Sequence, residues 1–161
     1  MLAGRICLNF QLRIVENNFM PLLGLKLASK FAENGCMAKI LIIDDNTMIC
    51  RIWKIQLEKI GHDVVCKNTA EDALEYLKTD IPDLVLSDVM MPGKSGLDMV
   101  REIRMDDTTR DIPVIVLSAL NSLQTKETAQ SLGVCRYIVK SEISLTELGN
   151  IVNEVLTNQT A

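Results

Sequence analysis

Four short stretches of the chain carry groups able to do chemistry together: Asp44-Asp45, Asp88, Ser118 and Lys140. Three carboxylates brought to one point would repel one another, so they need a cation or raised pKa values. A hard divalent ion meets that need, and oxygen donors from carboxylates, a carbonyl and water suit Mg²⁺, which keeps open positions for a phosphate. Lys140 adds a positive charge that can pair with a phosphoryl oxygen, and the Ser118 hydroxyl can donate to another. No G-x-x-x-x-G-K-[ST] loop occurs, and no G-x-G-x-x-G follows the first strand, so the chain offers no nucleotide cradle. A phosphoryl group at this site should therefore be held covalently, and a carboxylate is a competent acceptor.

These residues work together only if the fold gathers them. From Lys39 onward, strand and helix patterns alternate. Apolar or β-rich runs at 39–43, 63–67, 84–87, 113–118 and 136–139 read as strands. Helices are expected between them. The first places Ile49, Ile52, Trp53, Leu57 and Ile60 on one face and ends at Gly61; the second starts after Thr69. The third covers 96–105 and the fourth 122–132. Ser144 and Glu147 form a capping box for the last helix, whose Leu148, Ile151, Val152 and Val155 should face inward. Five such units without a long insertion predict a doubly wound parallel α/β sheet with helices on both faces. Ligands in such sheets bind beyond the carboxyl ends of the strands, which is where Asp44-Asp45, Asp88, Ser118 and Lys140 fall.

The rest of the composition bounds the function. The chain of 161 residues has net charge −4 and no clustered Lys/Arg stripe, which argues against a nucleic-acid surface. Its longest uncharged run, 112–125, is shorter than the roughly 20 apolar residues that span a bilayer, so no stable membrane insertion is expected. The five cysteines, at 7, 36, 50, 66 and 135, include no C-x-x-C and read as small hydrophobes of a reducing, cytoplasmic setting. Trp53 reads as core and the single histidine, His62, as a surface loop residue. Residues 1–36 carry Arg5, Arg13, Lys26 and Lys30 against two glutamates, opposite in sign to the acidic remainder. They read as an N-terminal extension, weakly ordered or forming a short amphipathic helix through Met20, Leu23, Leu27 and Phe31. Met37-Ala38-Lys39 resembles an original start, with the domain running over 37–161.

From about residue 39 to 156 the chain resembles a response-regulator receiver domain of two-component signalling, of the single-domain, chemotaxis-regulator type. The motifs that carry the resemblance are Ile43-Asp44-Asp45, Asp88-Val89-Met90-Met91-Pro92-Gly93, Ser118-Ala119 and Lys140. The resemblance implies sheet order 2-1-3-4-5, with Asp88 as phosphoacceptor. It gives Asp45 direct contact with Mg²⁺, Asp44 contact mainly through water, and Met90 a backbone-carbonyl ligand, with Asp88 itself also in the metal set. Ser118 and Lys140 would bind phosphoryl oxygens, and Tyr137 would match the aromatic switch position.

The implied partners are a histidine kinase or histidine phosphotransfer protein and a downstream target protein, met through helix 4, strand 5 and helix 5 (122–156). With no output domain expected on either side, the message would leave through that partner. Met90 and Leu120 would flank the path of a hydrolytic water. Ser141 departs from the family, which usually has proline there, often after a cis bond. A non-proline cis bond costs about 3 kcal/mol, so a trans bond and a less firmly held Lys140 are expected. Two other readings stay open. An aspartyl phosphatase would usually carry a second Asp where Met90 stands, and a pseudo-receiver would bind partners without phosphorylation. The leading expectation is a signalling module, not an enzyme beyond its own phosphorylation and dephosphorylation.

Overall fold

The computed structural model describes residues 37–119 and 121–158, so the expected extension 1–36 and Leu120 lie outside the described residues. Five parallel strands, β1 (Lys39–Ile43), β2 (Asp63–Lys67), β3 (Leu84–Asp88), β4 (Val114–Ser118) and β5 (Arg136–Val139), form one sheet in the order β2-β1-β3-β4-β5. Between and after them run α1 (Thr47–Lys59), α2 (Ala70–Leu77), α3 (Gly96–Met105), α4 (Leu123–Ser131) and α5 (Leu145–Asn158), with a 3-10 turn over Lys140–Glu142. The doubly wound fold and the expected strand order are both present.

Hydrophobic patterning decides which strands are central. Every residue of Leu-Val-Leu-Ser-Asp in β3 and Val-Ile-Val-Leu-Ser in β4 is buried, as strands covered on both faces must be. The edge strands β2 and β5 each bury a single residue, Val64 and Val139, the others being partly or fully exposed. Side-chain alternation splits the core in two. Ile40, Ile42, Leu84, Leu86, Ile115 and Leu117 pack against α1 and α5. Leu41, Ile43, Val85, Val114 and Val116 pack against α2, α3 and Ala129 of α4.

Caps set where the helices begin. Asn46, Thr69, Ser95 and Ser122 each accept a backbone N–H of the following turn. Ser144 and Glu147 form the expected reciprocal box: the Ser144 N–H donates to Glu147 Oε2 at 2.8 Å, and the Glu147 N–H to Ser144 Oγ at 3.2 Å. Arg104 ties the lower loops together, donating to the carbonyls of Arg110, Ile112, Leu132 and Gly133.

Three expectations need correction. Ile52 lies on the exposed side of α1, where Cys50 takes the buried position instead, because the 3.6-residue period centres the inward stripe on Cys50, Trp53 and Leu57. His62 is buried, 6% exposed, not a surface loop residue. Its Nδ1 accepts the Ala38 N–H at 3.4 Å and its Nε2 lies 3.0 Å from Asn153 Oδ1, so both ring nitrogens find partners inside the fold. The strand bounds also shift slightly, with β3 ending on Asp88 and Pro113 preceding β4. Among the described residues no helix is long and apolar enough to cross a membrane.

Candidate functional site

Strand register brings the acidic residues together. Ile43 pairs with Ser87, so the next residues, Asp44 and Asp88, leave adjacent strands side by side. Ser118 ends β4 opposite Val139, and Lys140 follows at once. One ligand oxygen from each of Asp44, Asp45 and Asp88 lies within 4.8 Å of the others. Asp44 and Asp88 are buried while Asp45 is exposed, so the cluster opens to solvent on one side.

Lys140 reaches into this cluster and bridges two of its members. Its Nζ donates to Asp44 Oδ2 at 2.6 Å and to Asp88 Oδ2 at 2.7 Å. No cis peptide occurs among the described residues, so the bond before Ser141 is trans as expected, and Lys140 makes two buried ion pairs. Burial pushes the Asp44 carboxyl above the usual carboxylate range, against the pull of Lys140. Burial alone would lower the Lys140 ammonium, but its hydrogen bonds to Asp44 and Asp88 outweigh this and hold it up. One ammonium against three carboxylates leaves the pocket doubly negative. That charge, with all-oxygen donors and an open side, fits a hard divalent cation such as Mg²⁺.

Neighbouring backbone groups fix the acids. The Asp44 N–H donates to Lys67 O, Asn68 Nδ2 donates to Asp44 O at 3.0 Å, and the Asn46 N–H donates to Asp44 Oδ1 at 3.0 Å. Asp88 Oδ1 accepts the Met90 N–H at 3.2 Å, and Met90 itself is exposed. Ser118 is fully buried at the end of β4. Tyr137 sits two residues before Val139, in register with Val116, partly buried, with Lys126 Nζ 5.8 Å from its ring centroid. The structure thus gathers Asp44, Asp45, Asp88 and Lys140 directly, and places Ser118 beside them at the end of the neighbouring strand. It sets Tyr137 further down β5.

Sequence reasoning missed three contributors. Asn46 doubles as α1 cap and Asp44 partner, a signal present in the Asp-Asp-Asn-Thr run before a helix. Asn68 has no such local signature, because its contact crosses from β2 to β1. Gly96 looks like an ordinary helix start, yet its backbone N–H donates to Val89 O at 3.0 Å and its Cα lies against the Asp88 peptide.

Comparison with known proteins agrees with this geometry. The model of the response regulator receiver domain family matches residues 40–153. A probable transcriptional regulator ycf27 of Porphyridium aerugineum is 40% identical over 102 residues, 63% of this chain and 41% of the relative. The ycf27 protein of Guillardia theta is 38% identical over 125 residues, 76% of this chain and 48% of its own. The chain thus spans less than half the length of these curated relatives.

Among solved structures, the Vibrio cholerae chemotaxis protein CheY4 superposes with TM-score 0.70 at 26% identity, covering 74% of this chain and 99% of that one. The phosphorylated cyanobacterial phytochrome response regulator RcpA gives TM-score 0.65 at 31% identity, covering 74% and 91%. With its sheet order, its acidic cluster and the family match over most of its length, this chain belongs to the response regulator receiver domains of two-component signalling.

Proposed function

We propose that this chain receives a phosphoryl group on Asp88 from a histidine kinase or a histidine phosphotransfer protein, and passes the signal to a target protein. The observation that carries this reading is the juxtaposition of Asp44, Asp45 and Asp88 within 4.8 Å, with Lys140 held between two of them. A carboxylate oxygen of Asp88 would attack the phosphorus of a phosphohistidine. The P–N bond would break with its electron pair going to the imidazole, leaving an acyl phosphate. Asp44, Asp45, Asp88 and the Met90 carbonyl would hold Mg²⁺, which supplies charge neutralisation for the incoming phosphoryl oxygens.

Lys140 already carries the proton needed to pair with a phosphoryl oxygen, and the Ser118 hydroxyl would donate to another. Drawing Lys140 toward the phosphoryl group pulls on the start of the 3-10 turn and, through β5, on Tyr137. The output surface would then be α4, β5 and α5, where Lys126, Tyr137, Ile143, Glu147 and Ile151 line a groove. Nothing in this scheme turns over an external substrate, and a cytoplasmic setting follows from the kinase partner. The phosphorylated state recorded for RcpA supports the assignment by relationship.

The test is incubation with Mg²⁺ and a small acyl-phosphate donor, followed by intact mass. One phosphoryl group should be gained, and none by Asp88→Asn or with the cation chelated. Gain by the Asn variant at equal stoichiometry would refute the acceptor. Donor turnover with no adduct would point to a phosphatase, and no reaction at all to a receiver that signals without phosphate.

A further inference from the structure

Two of the cysteines meet in space although sixteen positions separate them in the chain. Cys50 lies in the first turns of α1 and Cys66 near the end of β2, and both belong to the cluster on the α1/α5 side of the sheet. Cys66 is in register with Ile42, and the Ile42 carbonyl lies 4.0 Å from Cys50 Sγ. Cys66 Sγ lies 3.5 Å from the Cys50 carbonyl oxygen, to which the thiol donates. The two side chains therefore share one small volume between helix and strand, with Cys50 buried and Cys66 partly open to solvent.

A cation, itself paired with Glu58 at 3.4 Å, lies near the pair. Lys54, one turn beyond Cys50, donates to the Val64 carbonyl at 2.7 Å, two residues before Cys66 on the same side of β2. The Cys50 thiol beside it and the Lys54 charge hold the Cys66 thiol below its usual range, against burial and the carboxylates of Glu58 and Asp44. Cys50 is held protonated by the same contact and by its burial. Exposure divides the roles: Cys66, partly open to solvent, is the thiol an oxidant can reach, and Cys50, buried beside it, can resolve the oxidised product.

We propose that Cys50 and Cys66 form a peroxide-reactive thiol pair that closes to an intramolecular disulfide. The Cys66 thiolate attacks one oxygen of hydrogen peroxide, the O–O bond breaks, and hydroxide leaves, giving a sulfenic acid. Cys50 sulfur then attacks the Cys66 sulfur. The S–S bond forms, the S–O bond breaks, and the Cys50 proton leaves with the departing hydroxide as water. In sum two thiols lose two electrons and two protons, and one peroxide becomes two waters. The crosslink would join the two elements that flank Asp44, since α1 follows the Asp44-Asp45 loop and Lys67 and Asn68 hold the Asp44 backbone from β2.

The experiment treats the reduced full chain with hydrogen peroxide, quenches with an alkylating agent and maps tryptic peptides without reduction. Cleavage after Lys39, Arg51, Lys59 and Lys67 puts Cys50 and Cys66 on separate peptides. The expected product is those two peptides joined, lighter by two hydrogens and separated again by dithiothreitol. Trp53, the single tryptophan, lies one turn from Cys50 in the same cluster. Its fluorescence should fall as the disulfide forms and recover on reduction. Cys50→Ser should leave a sulfenic acid on Cys66 that dimedone traps, and Cys66→Ser should leave Cys50 unmodified. Free Cys50 and Cys66 in the treated wild-type chain, or faster crosslinking through Cys7, Cys36 or Cys135, would overturn the proposal.

Discussion

Gly96 presses against the backbone of Asp88: a Cβ at Gly96 would lie 1.8 Å from the Asp88 carbonyl oxygen and 2.8 Å from its carbon. Both contacts are to backbone, so no side-chain rotation can relieve them. Gly96→Ala must therefore move the end of β3 or the start of α3. Overpacking of this kind costs about 3 kcal/mol, and here the displaced atoms carry the proposed acceptor. The variant should unfold at lower urea concentration and be phosphorylated more slowly than wild type. A wild-type midpoint and rate together would show that the loop moves freely and that the close approach is unimportant.

His62 should make stability depend on pH. Burial holds its imidazole below the usual histidine range, outweighing the hydrogen bond to Asn153 and the charge of Asp83. A base whose pKa is lower in the folded state binds fewer protons there than when unfolded. The neutral ring's contribution is thus complete above the unfolded value of about 6.5 and is lost as pH falls toward the folded one. Between pH 7.5 and 5.5 the wild type should lose more stability than His62→Gln in urea titrations. Comparing the two proteins cancels Asp44, whose raised carboxyl titrates with the opposite sign in both. Parallel pH profiles would show that His62 does not titrate differently in the two states.

The contrast between Ile43-Asp44-Asp45 and His62 shows what a chain reveals before it folds. Short apolar runs such as Ile40–Ile43 that end at a carboxylate are local, and parallel sheets place such ends on one edge whatever the detailed register. That is why the acidic cluster and Lys140 were legible. The burial of His62 depends on Ala38 and on Asn153 of the distant α5, and no local pattern encodes that meeting. The same holds for Asn68 on Asp44 and for Cys50 beside Cys66, both contacts between elements brought together only by strand pairing. Ile52 was misplaced for a smaller reason. The stripe through Cys50, Trp53 and Leu57 is centred on the face away from Ile52, and a small residue such as Cys50 weighs less in the apolar pattern than an isoleucine.

Removing one member of the pocket should have opposite effects according to its charge. Lys140 pairs with both Asp44 and Asp88, and all three side chains are at most 13% exposed. Lys140→Met keeps the aliphatic stem but leaves two buried carboxylates without their cation, which should cost about 3 kcal/mol at neutral pH. Asp88→Asn instead removes one of three like charges while Asp44 still pairs with Lys140, so it should be neutral or stabilising. Saturating Mg²⁺ should raise the melting temperature of the wild type, and that of Lys140→Met by more, because the ion meets a more negative pocket. Melting temperatures of the three proteins, with chelator and with Mg²⁺, check this. A destabilised Asp88→Asn, or a Mg²⁺ response that does not depend on Lys140, would count against the charge balance described for the pocket.

Met90 should make the phosphoryl group long-lived. Its N–H is tied to Asp88 Oδ1, and the residue, 56% exposed, belongs to the segment that leaves the pocket mouth. Hydrolysis of an Asp88 acyl phosphate needs a water in line with the P–O bond, and a thioether offers such a water only a weak acceptor. An amide at this position could hold the water by one good hydrogen bond. One such bond realised in the transition state is worth about 1 kcal/mol, or roughly a fivefold change in rate. Met90→Asn should accordingly shorten the phosphoryl lifetime by about that factor in Mg²⁺, with little change in the rate of loading. The measurement is loss of the adduct from purified phosphoprotein after the donor is removed. Equal lifetimes would mean that access of water is governed elsewhere around the site.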